Sequence, residues 1–320
     1  MSETGERNVF VLSGGGPLGA AQVGMLHGLL DQGVAPDALV GCSVGALNAA
    51  VLAVGPLEAG LATLTDTWLS LRRTDIFPST PLAPLANVLR GKEYLFSSAR
   101  LGERLDAWFD CELIEDLARP LRIVTTDLGT GSTVYHDTGS LRAALLASTA
   151  VPGVFPSVEL RSSAGGRPSP HVDGGVSALV PVAGSLDLQP TRVYVLDVAT
   201  RPPSGGRIRS PLDMLVRSLD IAVRLPRDAP VWSSIDVTVI RCPELSPLRV
   251  RDFSQTRALM AAGERAACEA LGTPWTAEER AYADTREPEP RLGRLDTLRA
   301  LPVRRAARVE RRRTALAQVL

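Results

Sequence analysis

The chain has 320 residues, 45% of them apolar, and its 35 Lys and Arg residues balance 35 Asp and Glu residues to a formal net charge of zero. That length suits one large α/β domain or two small ones, and the charge balance argues against bulk nucleic-acid binding, so no nucleic-acid partner is expected. No apolar run reaches the ~20 residues needed to span a bilayer, and the polar start MSETGERN has no signal-peptide character, which gives a cytoplasmic location as the expectation.

Taken in chain order, residues 8–13 (NVFVLS) predict a strand that runs into Gly14-Gly15-Gly16-Pro17-Leu18-Gly19. A helical run over 20–32 follows, with Val23, Leu26, Leu29 and Leu30 on its apolar side, and Gly33 ends it. Residues 38–40 predict a short buried strand that stops at Gly41-Cys42-Ser43-Val44-Gly45, and an Ala/Leu-rich helix begins at once and breaks at Gly55-Pro56. This βαβα start is typical of a parallel sheet with helices on its faces. Residues 57–118 form a helical insert interrupted by Pro78, Pro81 and Pro84 and carrying Trp68, Phe77, Tyr94, Phe96, Trp108 and Phe109. Two readings of the insert stand: a lid or wall beside Ser43, or rings that only pack the insert onto the sheet.

Residues 121–127 predict a strand that Gly129-Thr130-Gly131 turns into 132–136, a hairpin. A helix over 141–147, a strand over 155–160 and a surface loop over 161–170 precede a strand at 171–173 that enters Gly174-Gly175. Residues 192–198 (RVYVLDV) read as a buried parallel strand. A Pro/Gly loop over 201–211, a helix over 212–225, a strand over 235–240 and a helix over 254–271 complete the main domain, 8–272. Residues 273–320 form a charged, Arg-rich helical extension in which Arg304, Arg305, Arg308, Arg311 and Arg312 share one helix face. That stripe reads either as a peripheral contact with anionic head groups or as a solvated helix face. No internal repeat is present, and the sequence leaves the oligomeric state open.

Three features carry chemistry. Gly41-x-Ser43-x-Gly45 between a strand and a helix predicts a strained elbow that thrusts the Ser43 hydroxyl outward, with glycines where side chains would clash. Gly14-x-Gly16-x-x-Gly19 matches the dinucleotide fingerprint, but that reading wants an acid at the end of the second strand, where Cys42-Ser43 stands; Asp37 precedes the strand. The same glycines serve equally as an oxyanion hole, with donors limited to Gly14, Gly15 and Gly16 because Pro17 has no N–H. A base for Ser43 must also be found. His27 sits mid-helix, His136 on the hairpin, and His171 two residues before Asp173 on one strand. Asp173, at a strand end followed by Gly174-Gly175, is the preferred base if burial raises its pKa. Cys42, Cys111, Cys242 and Cys268 form no C-x-x-C pair or metal spacing and read as reduced thiols, so neither a metal nor a cofactor is expected.

In order and approximate spacing, Gly14 to Gly19, Gly41 to Gly45 and Asp173-Gly174-Gly175 resemble the motifs of the patatin-like phospholipases. So do the stretch from Ser148 to Pro156 (STAVPGVFP) and Asp252-Phe253-Ser254 with a helix containing Gly263. The resemblance covers about residues 8–272. It implies a three-layer α/β/α sandwich around a mainly parallel sheet and a metal-free Ser–Asp pair that hydrolyses lipid acyl esters. Carried over by position, Ser43 is the nucleophile, Asp173 the base, Gly14, Gly15 and Gly16 the oxyanion hole, and Gly19, Gly41, Gly45, Gly174 and Gly175 the supporting glycines. One departure is Leu18, where that family usually has Arg or Lys. Two other functions remain as alternatives at this point: a nucleotide-binding oxidoreductase and a catalytically silent scaffold.

Overall fold

Short, continuously apolar strands alternate with helices, and the period-two splitting of their side chains creates two cores. The computed structural model describes residues 6–76, 87, 89–161, 167–199, 214, 235–242 and 253–275. Phe77, Pro78, Pro81, Pro84, Asp252, the 201–211 loop, the 212–225 helix apart from Met214, and the arginines from Arg304 to Arg312 lie outside the described residues.

The central strand, β1 (Asn8–Leu12), pairs in parallel with β2 (Ala38–Cys42) on one side and β7 (Arg192–Asp197) on the other. From β1, Phe10 and Leu12 join Leu39, Tyr194 and Leu196 against α1 (Gly19–Asp31), α2 (Val44–Ala53) and α8 (Thr256–Leu271). Val9 and Val11 point the other way, with Ala38, Val40, Val193 and Val195, and are covered by Ala178 of the short helix α7 (Gly175–Ala178) and by Val180, Val182 and Leu188. A strand buried on both faces has no polar alternation to show, which is why these runs read as solid apolar blocks. The result is a three-layer α/β/α arrangement.

Among the described residues the sheet has eight strands, hydrogen-bonded in the series β5 (Val158–Leu160), β6 (Ser169–Asp173), β3 (Leu121–Asp127), β2, β1, β7, β8 (Asp236–Arg241), with β4 (Thr133–His136) also paired to β3. Pairing is parallel through β3-β2-β1-β7-β8 and antiparallel where β4 and β6 meet β3 and β5 meets β6. Strand β5 is shorter than the expected 155–160. Pro156 has no N–H for a ladder, and the chain before it turns inward, with Val154 and Phe155 clustering with Phe96. Strand β6 starts two residues earlier than expected, because Ser169 and Pro170 pair with Leu160 and Glu159.

The insert contributes α3 (Leu57–Ser70), α4 (Arg73–Ile76) and α5 (Ala99–Trp108). Leu61, Leu64, Trp68, Leu101 and Leu105 enter the main core, and Trp108 and Phe109 pack against it. No helix among the described residues is long and apolar enough to cross a membrane. None of the four cysteines is in a disulfide.

Helices α1 and α8 cross in close contact at two glycines. A Cβ on Gly24 would stand 1.8 Å from the Met260 carbonyl oxygen, and one on Gly263 would stand 1.9 Å from that of Ala21. Either substitution must push the helices apart. We expect Gly24→Ala or Gly263→Ala to lower unfolding stability by about 3 kcal/mol in urea titrations, the upper end for overpacking. Gly55→Ala, with nothing within 4 Å of the added carbon, should stay within about 0.5 kcal/mol.

Candidate active site

The site is assembled on one edge of β3. Cys42 of β2 pairs with Val124, and Asp173 of β6 pairs with Thr125, the next residue along. Strand β4 pairs with residues 123–126 and so overlaps both partners. A strand residue has one neighbour on each side, so β4 holds the opposite edge, and β2 and β6 meet end to end on the same one. Ser43, one residue beyond β2, therefore faces the last residue of β6.

Ser43 has φ 52° and ψ −124°, a positive φ rare for a residue with a side chain. Its N–H donates to Ser148 Oγ at 2.9 Å, and Ser148, at the end of α6 (Leu141–Ser148), is fully buried. Gly41 and Gly45 flank the elbow where a Cβ would meet Ala46 Cα at 2.5 Å and the Leu12 carbonyl oxygen at 2.4 Å. The Ser43 hydroxyl donates to Asp173 Oδ2 at 2.6 Å. Asp173 Oδ1 accepts from the Gly175 N–H at 2.7 Å and from the Cys42 thiol at 3.9 Å. Its backbone is held at both ends: the N–H donates to the Ala150 carbonyl at 3.0 Å, and the carbonyl accepts from Thr126 Oγ1 at 3.0 Å. A Cβ on Gly174 would come within 2.4 Å of the Val124 carbonyl oxygen, so only glycine lets the chain leave β3 this closely.

Burial pushes the Asp173 carboxyl up from 3.8 to about 6, although the bonds from Ser43, Gly175 and Cys42 each oppose the rise. Burial, with the Asp173 charge beside it, pushes the Cys42 thiol well above its ordinary value, so it stays protonated. The three histidines are engaged elsewhere. His27 Nε2 lies 2.9 Å from Thr65 Oγ1. Thr125 Oγ1 sits between His136 Nε2 at 2.7 Å and His171 Nδ1 at 2.8 Å, and His171 Nε2 lies 3.3 Å from Ser169 Oγ. Burial lowers the pKa of His136 to about 4 and also lowers that of His171, so both rings are neutral at pH 7.

The glycine loop from Gly14 to Gly19 lies beside the elbow: a Cβ on Gly14 would be 3.4 Å from Ser43 Cβ. Of the three glycines expected to supply oxyanion donors, Gly14 already donates its N–H to the Leu179 carbonyl at 2.9 Å. The N–H groups of Gly15 and Gly16 have no such partner among the described residues. Gly16 has φ 55° and opens the 3-10 turn Gly16–Leu18 that leads into α1. Gly19 packs under Val44 and Trp68. Leu18 is buried, its N–H donating to the Gly15 carbonyl. Asp37, the acid nearest to a dinucleotide pattern, binds the Asn8 N–H at 2.8 Å at the opposite end of β1, away from the loop. Among the described residues no group of three His, Cys, Asp or Glu side chains is placed to hold a metal.

A mainly parallel α/β sheet with a strained serine elbow at its carboxyl edge defines the class of the protein. A family model described as Patatin-like phospholipase matches residues 10–185, more than half of the chain. The chain belongs to that family. It is 29% identical over 295 residues to an uncharacterized NTE family protein of Mycobacterium tuberculosis, a match covering 82% of this chain and 46% of that protein. It is 29% identical over 153 residues to patatin-like phospholipase domain-containing protein 7 of Mus musculus, covering 48% of this chain and 11% of that protein. The chain thus spans less than half the length of these relatives. The crystal structure of VipD from Legionella pneumophila aligns with TM-score 0.44 and 14% identity over 83% of this chain and 67% of that one.

The raised Asp173 pKa has a signed consequence for stability. Because the folded carboxyl titrates near 6 and the unfolded one near 3.8, the folded state holds the proton more tightly. The stability from this group is complete below about pH 4 and is lost as pH rises through 6. At pH 7–8 the loss amounts to up to about 3 kcal/mol. We expect Asp173→Asn to raise denaturant stability by up to that amount at pH 7.5, with the gain vanishing at pH 4.

Proposed function

We propose that the protein is a serine acyl hydrolase acting on lipid esters through Ser43 and Asp173. The observation that carries this reading is the 2.6 Å contact between Ser43 Oγ and Asp173 Oδ2, supported by family membership. Asp173 takes the Ser43 proton as the oxygen attacks an ester carbonyl, and the carbonyl electron pair moves to its oxygen. The N–H groups of Gly15 and Gly16 and the start of α2 stabilise that oxyanion. Asp173 then protonates the departing alcohol, leaving acyl-Ser43, which water resolves by the reverse sequence. A carboxylate of pKa about 6 is ionised at neutral pH yet basic enough to share the serine proton in the transition state. The engaged histidine nitrogens favour this pair over a histidine triad. The position of Asp37 disfavours the oxidoreductase alternative.

The test is burst release from a p-nitrophenyl ester, with fluorophosphonate labelling mapped by peptide mass. Wild type should label at Ser43, and Ser43→Ala should abolish both signals. Asp173→Asn should reduce kcat roughly 10²–10⁴-fold while remaining folded. In wild type, kcat/KM should fall below about pH 6, the value at which Asp173 gains its proton. An unlabelled but folded wild type would instead leave a catalytically silent scaffold; an undiminished burst in Ser43→Ala would remove Ser43 as nucleophile.

A further inference from the structure

Three side chains with hydrogen-bonding groups are buried together between the sheet and the helices that carry the site: Gln22 of α1, Asn48 of α2 and Trp68 of α3, exposed 0%, 1% and 5%. Their bonding is complete and directional. The indole Nε1–H of Trp68 can only donate, and it reaches Asn48 Oδ1 at 2.9 Å. That fixes the Asn48 amide so that Nδ2 donates to the Gly19 carbonyl at 3.1 Å and to Gln22 Oε1 at 3.0 Å. Gln22 is oriented in turn, and its Nε2 donates to the Ser13 carbonyl at 2.8 Å and the Leu196 carbonyl at 3.2 Å. One donor at the end of the series therefore sets the polarity of both amides.

The endpoints matter. Ser13 and Gly19 are the residues on either side of the loop from Gly14 to Leu18, and Asn48 lies one turn into the helix that starts at the Ser43 elbow. The network ties the two rims of the glycine loop to the nucleophile's own helix. Buried amides are costly in a core that apolar side chains could fill, unless each hydrogen bond is made. Here each is made, and two of the acceptors are those loop-rim carbonyls.

We propose that Gln22, Asn48 and Trp68 are positioning residues that hold the Gly15 and Gly16 N–H groups in register with Ser43 Oγ, so that the loop meets the oxyanion without rearrangement. The proposal rests on the acyl-hydrolase reading above. None of the three touches substrate; they act through the backbone at Ser13 and Gly19. The first helix of the insert thereby becomes part of the catalytic scaffold, because Trp68 belongs to α3.

The test compares wild type with Trp68→Phe, which keeps an aromatic, though smaller, ring and removes the N–H, and with the double variant Gln22→Met, Asn48→Leu. Each is assayed with a p-nitrophenyl ester and with octyl trifluoromethyl ketone. That ketone accepts Ser43 Oγ at its carbonyl carbon, its π pair moves to oxygen and the serine proton passes to Asp173, so its affinity reports on the oxyanion donors. The double variant should lose roughly 10–100-fold in kcat with KM nearly unchanged, as expected for sub-ångström to ångström misplacement of catalytic donors. Its affinity for the ketone should fall by a similar factor, and the pH midpoint near 6 should stay in place. Trp68→Phe should move the same parameters in the same direction by a smaller factor. Leu259→Ala in α8 supplies a stability-matched control that should leave kcat and ketone affinity intact. Unchanged kcat and ketone affinity in folded Trp68→Phe and in the double variant would overturn the proposal while leaving the hydrolase reading standing. A wild type that forms neither an acyl nor a ketone adduct at Ser43 would overturn both.

Discussion

Everything in the site depends on β3 offering one edge to two strands in succession. Ser43 and Asp173 are 130 residues apart in sequence, and closing so long a loop through side-chain contacts alone would be entropically poor. The sheet does it through backbone ladders: β2 occupies the edge of β3 up to Val124, and β6 takes over at Thr125. A slip of one residue in β6 would turn Asp173 to the other face. The 2.6 Å contact is thus a product of strand register, fixed before any ligand arrives. A pair preorganised in this way avoids the reorganisation that a loop-borne acid would require.

The electrostatic character of the pair follows from the same placement. Asp173 accepts from a hydroxyl, a backbone N–H and a thiol, which all favour the ionised form, and its pKa still rises to about 6 because burial outweighs them. Among the described residues, no cation enters this balance. The nearby rings, His136 and His171, share Thr125 Oγ1 and are kept neutral by their own burial. An arginine or a charged imidazole against Asp173 would have favoured its ionised form and lowered its pKa, making it weaker in the proposed role of base. The strained Ser43 backbone is held by Ser148 Oγ and the Asp173 N–H by the Ala150 carbonyl, so one buried segment at the end of α6 anchors both the elbow and the acid.

How much of this was legible in the sequence varies with the range of the interaction. Ser43 was legible because an elbow is local: strand, G-x-S-x-G and helix lie within about fifteen residues, and each glycine marks a close backbone approach. Asp173 was legible less directly, through a strand-ending Asp followed by two glycines and through the resemblance its spacing carries. Ser148 lay inside a stretch noticed only for that resemblance, since nothing local shows that its hydroxyl caps a backbone N–H 105 residues away. Gln22 and Asn48 were hidden for a related reason. On helices of small and apolar residues they look like solvent-facing polar positions, and only the fold reveals that both faces are buried. The commitment of the Gly14 N–H to Leu179 had no sequence signal either, because it depends on how the chain after Gly175 returns past β1. The shortening of β5 could have been read at Pro156, which has no N–H to give to a ladder.

Under the proposed hydrolase mechanism, the glycine loop and the elbow would contribute to oxyanion stabilisation in two unequal ways. Strands β1 and β2 are parallel neighbours, so α1 and α2 both begin at the same end of the sheet, and their positive dipole ends converge there. A dipole end contributes about 0.3–1 kcal/mol to a nearby negative charge, whereas a directed N–H in an oxyanion hole is worth about 2.7–4 kcal/mol. The helices therefore matter less for their dipoles than for where they start. Helix α1 follows directly on a turn whose first residue, Gly16, takes a positive φ, and α2 starts immediately after a serine that does the same. Both departures from ordinary backbone geometry lie where the sheet ends and the helices have not yet begun their regular hydrogen bonding. In that gap the Gly15 and Gly16 N–H groups have no backbone partner among the described residues, and the side chains of Gln22 and Asn48 bond the flanking Ser13 and Gly19 carbonyls, holding backbone that neither the ladder nor the helix reaches.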